Sequence, residues 1–207
     1  MVYNQLFLRI IFSIIFLILF FTFYFFYPKY LVLLVLFIYL LIFYEVFKNF
    51  IFYNLLIYLY LIFSLSVICL YLIYLYNESV FLLFIIIVLL FDTFSYLFGK
   101  LFGSHKILPF ISPNKTLEGL IGGIITTTVF IFFFNYYFNE FLFLSLIFFN
   151  FLVIIFSFLG DVLQSFIKRK SNIKDSSNLL PGHGGFFDRM DSYILSVFIL
   201  PFHSLIL

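Results

Sequence analysis

The residues able to handle a phosphate or a divalent ion gather in two stretches of this chain. The richer one runs from Gly160 to Asp191. Asp161, Ser165 and Lys168 fall at i, i+4 and i+7, one stripe along a helix. Asp188 and Asp191 fall at i and i+3, which reads as one face at the start of a further helix. Around them stand Lys168-Arg169-Lys170, Lys174-Asp175, Pro181-Gly182-His183-Gly184-Gly185 and Arg189. Carboxylates on two helix ends, beside a loop of Lys, Arg and Gly, suit phosphoryl or nucleotidyl transfer. Acids hold Mg²⁺, which takes oxygen ligands and keeps part of its water shell for phosphate. Lys and Arg neutralise phosphate charge, and Gly lets backbone N–H groups approach it. The basic run alone would read as an anchor at a membrane surface. That reading does not account for the interleaved aspartates or for His183 among glycines, where it contacts phosphate or orders the turn.

The other stretch runs from Asp92 to Gly123. Asp92 lies inside an apolar run, about seven residues or roughly 10 Å from its end at the helical rise. A carboxylate at that depth needs a partner or a hydrated cavity. Ser95, Tyr96 and Gly99 share its face. One reading is a packing carboxylate bonded to a neighbouring helix, and the other is a polar site opening to the cytoplasm. Further on, Ser112, Asn114 and Thr116 cluster at the expected start of a helix, where free N–H groups and the dipole favour an anion. Lys115 adds charge there. A cap with no ligand would use the same residues. Gly119, Gly122 and Gly123 form a small-residue face for close helix contact.

The elements that must position these residues are membrane helices. Of 207 residues, 66% are hydrophobic and 10% charged, with a mean hydropathy of +1.26, too apolar for a water-soluble domain. The expected fold is an all-α, polytopic transmembrane bundle, one membrane domain over 1–207. About seven spans are expected, near 6–27, 30–47, 50–76, 79–98, 117–138, 141–163 and 191–207. The first three form an N-terminal part to about 76, and the catalytic part begins near 79. The first span is not read as a cleavable signal, since no small-residue cleavage site follows it. There is no Ala, but 38 Phe and 16 Tyr, a bias consistent with AT-rich codon pressure. Polar, Gly and Pro positions therefore carry the functional information. All nine glycines lie between Gly99 and Gly185. Placing the N-terminus with the even-numbered loops gathers Arg9, Lys48, Lys100, Lys106, Lys115, Lys168, Arg169, Lys170, Lys174 and Arg189 on one side. Only Lys29 lies opposite, with Glu78 and Glu140. That asymmetry puts both long polar loops on the cytoplasmic side.

The run from Ser165 to Asp191 resembles the signature of the phosphatidate cytidylyltransferases, or CDP-diacylglycerol synthases. Ser165, Lys168, Arg169, Lys174, Asp175, Ser177, Leu180, Pro181, His183, Gly184, Gly185, Asp188, Arg189 and Asp191 stand at its spacing. Ser112-Pro113-Asn114-Lys115-Thr116-Leu117-Glu118-Gly119 is similar to the family's second conserved region. The resemblance covers the C-terminal half. It implies that CTP and phosphatidate give CDP-diacylglycerol and pyrophosphate with Mg²⁺, a second monovalent or divalent cation being left open. It suggests Asp161 and Asp188 as metal carboxylates, with Asp92 and Asp191 in support. Lys168, Arg169, Lys174 and Arg189 would take phosphates; Asp175 and His183 belong to the same catalytic set. Asp92, Ser112, Asn114, Lys115, Thr116, Ser165, Gly184 and Gly185 would line the substrates. The expected partners are CTP, phosphatidate and membrane lipid, with a homodimer and without nucleic acid, at the inner cell membrane. The chain is shorter than the bacterial members lead one to expect, by one or two N-terminal spans. The competing readings are a CTP-dependent polyprenol or lipid kinase and, in another class, a transporter. A conduction path needs polar lining at both membrane faces, whereas these polar residues gather at one.

Overall fold

The computed structural model describes residues 14–15, 18–50, 54–138, 141–177, 179 and 184–207. Residues 6–13 and 16–17 of the first expected span, together with Leu180, Pro181, Gly182 and His183, lie outside these. The fold is predominantly helical, as the apolar runs require. Among the described residues five helices are long and apolar enough to cross a membrane: Pro28–Asn49, Leu55–Leu75, Glu78–Phe102, Leu117–Tyr137 and Phe143–Lys170. The last apolar segment, Asp191–Ile206, is shorter, so the described residues do not reach the expected seven.

The elements are α1 (Leu31–Asn49), entered through a 3₁₀ turn at Pro28–Tyr30, and α2 (Asn54–Leu70), which ends in a π turn at Tyr71–Leu75. Helix α3 (Glu78–Phe102) leads into a hairpin of β1 (Lys106–Leu108) and β2 (Ser112–Thr116). Helices α4 (Leu117–Phe138), α5 (Phe143–Lys170), α6 (Asp191–Ser196) and α7 (His203–Ile206) follow, with 3₁₀ turns at Phe187–Arg189 and Val197–Phe202. The chain forms two compact units: Met1–Leu75 with Ile167–Met190, and Tyr76–Phe166 with Asp191–Leu207. Thus the polar segment after α5 is grouped with the N-terminal helices.

In the first unit, α1 buries Leu31, Tyr39, Ile42, Glu45 and Val46. Its opposite stripe, Leu33, Leu36, Phe37, Leu40, Tyr44 and Phe47, is exposed and apolar, as suits a helix facing lipid. The Tyr39 hydroxyl meets Ser64 Oγ of α2 at 2.9 Å, both buried. After Lys170 the chain reverses through a helix-ending turn. Asn172 adopts φ +55, Ile173 N donates to Lys168 O and Asn172 N to Arg169 O, which satisfies carbonyls the helix end leaves open.

In the second unit, α3 and α4 lie backbone to backbone. A Cβ on Gly119 would stand 3.1 Å from Gly99 Cα and 3.1 Å from Thr116 Oγ1, and Gly122 and Gly123 are filled by the rings of Phe98 and Phe91. Helix α3 starts on an Asn77 cap, Val80 N donating to Asn77 Oδ1 at 3.1 Å. It runs on to Phe102, beyond the expected end near 98. The expected loop at 99–116 is therefore partly helix and partly hairpin. Ser112 and Asn114 stand on β2 rather than at a helix start, because Ser112 pairs with Leu108 across the hairpin. Thr116 alone caps α4, accepting from Gly119 N at 3.2 Å. Asp188 and Asp191 do not share one helical face. Asp188 lies in the 3₁₀ turn, which Met190 (φ −106, ψ 8) ends before α6 begins at Asp191.

Gly119→Val tests the α3–α4 approach. Overpacking there should cost about 1–3 kcal/mol, read as a lower thermal unfolding midpoint in detergent. An unchanged midpoint would contradict the contact.

Candidate functional site

The second unit assembles part of the expected site from four elements. Asp161 of α5 takes the Lys115 ammonium of β2 on Oδ2 at 2.8 Å and the Ser165 hydroxyl on Oδ1 at 3.2 Å. Lys115 also lies over the Phe158 ring, 4.6 Å from its centroid, so its charge is held by an anion and a π face together. Asp92 of α3 is met by two hydroxyls: Ser192 Oγ of α6 at 3.0 Å and Ser157 Oγ of α5 at 3.5 Å. Gly160 makes the α5–α6 approach possible, since a Cβ there would lie 2.6 Å from Asp191 O and 3.0 Å from Leu195 Cβ. Asp191 accepts from Ser192 N at 3.0 Å at the start of α6. The structure thus gathers Asp92, Lys115, Asp161 and Ser165, adding Ser157 and Ser192, which the sequence reading did not single out. Asn114 is exposed on the hairpin. Nearby, Glu118 ties α4 to the end of α3 by accepting Ser104 Oγ at 2.6 Å, Ser104 N at 3.1 Å and His105 Nδ1 at 2.6 Å.

The first unit organises the rest around two carboxylates. Asp188 Oδ1 takes the Lys168 ammonium at 2.7 Å, and its Oδ2 accepts Ser176 N at 2.7 Å, Ser176 Oγ at 3.0 Å and Gly185 N at 3.1 Å. The second carboxylate is Glu45 of α1, fully buried and absent from the sequence-based set. It accepts from Ser176, Ser177, Phe186 and Phe187. A lone acid near the end of an apolar run was the signal that could have found it. Gly184 adopts φ +85, a conformation that favours glycine. Gly185 has no room for a side chain, since a Cβ would collide with Ser176 Oγ. Lys174 and Asp175 are exposed, with Arg169 and Arg189. Lys174 and Asp175 also line a cavity of about 750 Å³ with Tyr44, Lys48 and Asn49.

Burial alone would raise the Asp188 carboxyl. The Lys168 charge and hydrogen bond, with the N–H groups of Ser176 and Gly185, instead hold it below the ordinary aspartate value. A depressed folded value means stability that is complete above the unfolded pKa, near 3.8, and is lost as pH falls through the folded one. Asp188→Asn, which leaves the buried Lys168 without its counter-charge, should cost about 3–5 kcal/mol at neutral pH. It should also flatten the loss of stability in the acid range just below the ordinary aspartate pKa. Thermal unfolding of both proteins across that range checks the pair; parallel curves would show that it contributes nothing.

Two comparisons bear on this geometry. The Cytidylyltransferase family matches residues 48–206, most of the chain and nearly all of the polar residues just described. The chain is 44% identical over 126 residues to a phosphatidate cytidylyltransferase of Staphylococcus haemolyticus, and 41% identical over 126 residues to one of Staphylococcus aureus. A Staphylococcus saprophyticus protein of the same name is 43% identical over 124 residues. Each match covers 59% of this chain and 46% of the relative, so the chain spans about half the length of the curated relatives it matches. The match over residues 48–206, well over half of the chain and spanning both lysine–aspartate pairs, places the chain in the Cytidylyltransferase family.

Proposed function

We propose that this chain takes part in nucleotidyl transfer from CTP to phosphatidate, giving CDP-diacylglycerol and pyrophosphate. The observation that carries the proposal is that Asp161 and Asp188 each hold a lysine ammonium, Lys115 at 2.8 Å and Lys168 at 2.7 Å. Each pair sets an oxygen donor suited to a divalent ion directly beside an ammonium suited to a phosphate. The names of the relatives support the same reaction, and so does the signature from Ser165 to Asp191.

Mg²⁺ suits these donors. It takes one or two carboxylates together with water and substrate phosphates, so it does not require a cage of three acidic or imidazole ligands, and none occurs among the described residues. Asp161 in one unit and Asp188 in the other each offer a carboxylate to such an ion, which when bound would neutralise charge on the triphosphate and on the departing pyrophosphate. The chain's own groups bind and orient. Lys115, Lys168, Lys174, Arg169 and Arg189 take phosphate oxygens, and Asp92 and Asp191 support the site through their serine and backbone donors. A phosphatidate oxygen attacks the α-phosphorus of CTP, a new P–O bond forms, and the α–β bridging bond breaks with its electron pair leaving on pyrophosphate. No protein nucleophile is needed, because the phosphate monoester is already one at neutral pH; catalysis is positioning and charge stabilisation. The excess of basic residues on one side supports a cytoplasmic site on the inner cell membrane.

Membranes bearing the chain, given CTP, Mg²⁺ and phosphatidate, should form a CDP-lipid that carries the α-label and not the γ-label of CTP. Asp161→Asn and Asp188→Asn, purified as folded protein, should each lower that rate by at least about 100-fold. Transfer of the γ-label would make the chain a lipid kinase instead. Full turnover in both variants would remove the metal assignment.

A further inference from the structure

We propose that Glu45 is a positioning residue for the reaction, acting through Ser176 on Asp188. Its geometry is that of a clamp. Glu45 Oε1 accepts Ser177 Oγ at 2.7 Å and Phe186 N at 2.8 Å, while Oε2 accepts Phe187 N at 2.9 Å and Ser176 Oγ at 3.0 Å. All four donors come from a segment more than 130 residues away in sequence, and they belong to both of its arms, 176–177 and 186–187. A fully buried carboxylate is costly in an apolar bundle unless hydrogen bonds replace its water. Three donors do so outright and a fourth, the Ser176 hydroxyl, shares its single proton between Glu45 and Asp188, so α1 keeps a carboxyl group where an apolar side chain would pack without that cost.

The clamp leads directly to Asp188. Ser176 Oγ lies 3.0 Å from Glu45 Oε2 and 3.0 Å from Asp188 Oδ2, and Ser176 N donates to the same Asp188 oxygen at 2.7 Å. Ser177, by contrast, touches Glu45 but makes no such link to Asp188. The residues beside Glu45 reinforce the clamp, since Asn49 Nδ2 donates to Ser176 O at 2.6 Å and the Phe50 ring meets Phe187 edge to face at 5.6 Å. Gly185 completes it, because a side chain there would collide with Ser176 Oγ and press on the Glu45 carboxylate. Glu45 stands just outside the family match, which begins at residue 48. The matched stretch therefore depends on a preceding residue for the geometry of its own aspartate.

This role rests on the proposed reaction, in which Asp188 holds Mg²⁺. The two serines separate positioning from simple fastening, since both bond to Glu45 and only Ser176 reaches Asp188. Purified wild type, Ser176→Ala, Ser177→Ala and Glu45→Gln are compared for kcat and KM with CTP and for the Mg²⁺ concentration at half-maximal rate. The rise in thermal unfolding midpoint on adding Mg²⁺ is measured as well, which requires no turnover. Ser176→Ala and Glu45→Gln should lower kcat about 10-fold or more, raise the Mg²⁺ requirement and shrink the Mg²⁺-induced rise, with KM for CTP changing less. Ser177→Ala should show effects several-fold smaller. Ser176→Ala no worse than Ser177→Ala overturns the proposal, as does Glu45→Gln with a wild-type Mg²⁺ requirement. If Glu45→Gln fails to fold, the two serine variants decide. A wild type inert toward CTP overturns the reaction instead, and the Mg²⁺-induced rise then decides the role of Glu45; a wild type without that rise overturns it.

Discussion

A carboxylate set among apolar helices must be given donors, and that requirement organises the polar half of this protein. Glu45 is met by two backbone N–H groups and two hydroxyls. Asp188 has a lysine, two loop N–H groups and a share of the Ser176 hydroxyl that also meets Glu45, Asp161 a lysine and a hydroxyl, and Asp92 two hydroxyls. An ionised group left alone in such surroundings would neutralise or draw in water. Each of these acids instead recruits a neighbouring element. The described parts of the segment after α5, residues 171–177 and 184–190, are tied together by the carboxylates that collect their N–H and O–H groups.

The helices were legible because a long apolar run has few other outcomes. Their ends were less so. Helix α3 runs past the expected boundary through Gly99 and Lys100, since polar residues near a span end do not stop a helix. The hairpin at 106–116 was read as a loop and a helix start, because Ser112-Pro113-Asn114 looks like capping chemistry until its pairing with β1 is known. Spacing brought Asp161 and Ser165 together correctly, since both lie on α5. It failed for Asp188 and Asp191, where a helical period was assumed across a 3₁₀ turn and the residue that ends it.

Glu45 escaped for a different reason. Periodicity reports which residues share a face of one element, and it is blind to a bond between residues more than 130 positions apart. Every candidate site residue named from the sequence lies at or after Asp92, in the half that carries all nine glycines, and none lies on the N-terminal helices. Yet the compact unit that holds Asp188 is built on those helices. The acid within an apolar run was visible; its partners were not.

The composition explains why so few residues carry so much. With 38 Phe and 16 Tyr among 207 residues, the apolar positions of this chain are filled by bulk, and a core tolerates exchange among side chains of similar volume. The lipid-facing stripe of α1 makes no demand beyond being apolar. Donor and acceptor positions have no such latitude, because a bond lengthened by half an ångström in a low-dielectric interior leaves a polar group unsatisfied. Most apolar positions of the bundle can therefore exchange side chains at small cost, whereas Glu45, Ser176, Gly185 and Asp188 are tied to one another by bond geometry. Gly185 shows how strict that tie is: a single methyl group there would strike the hydroxyl that joins the two carboxylates.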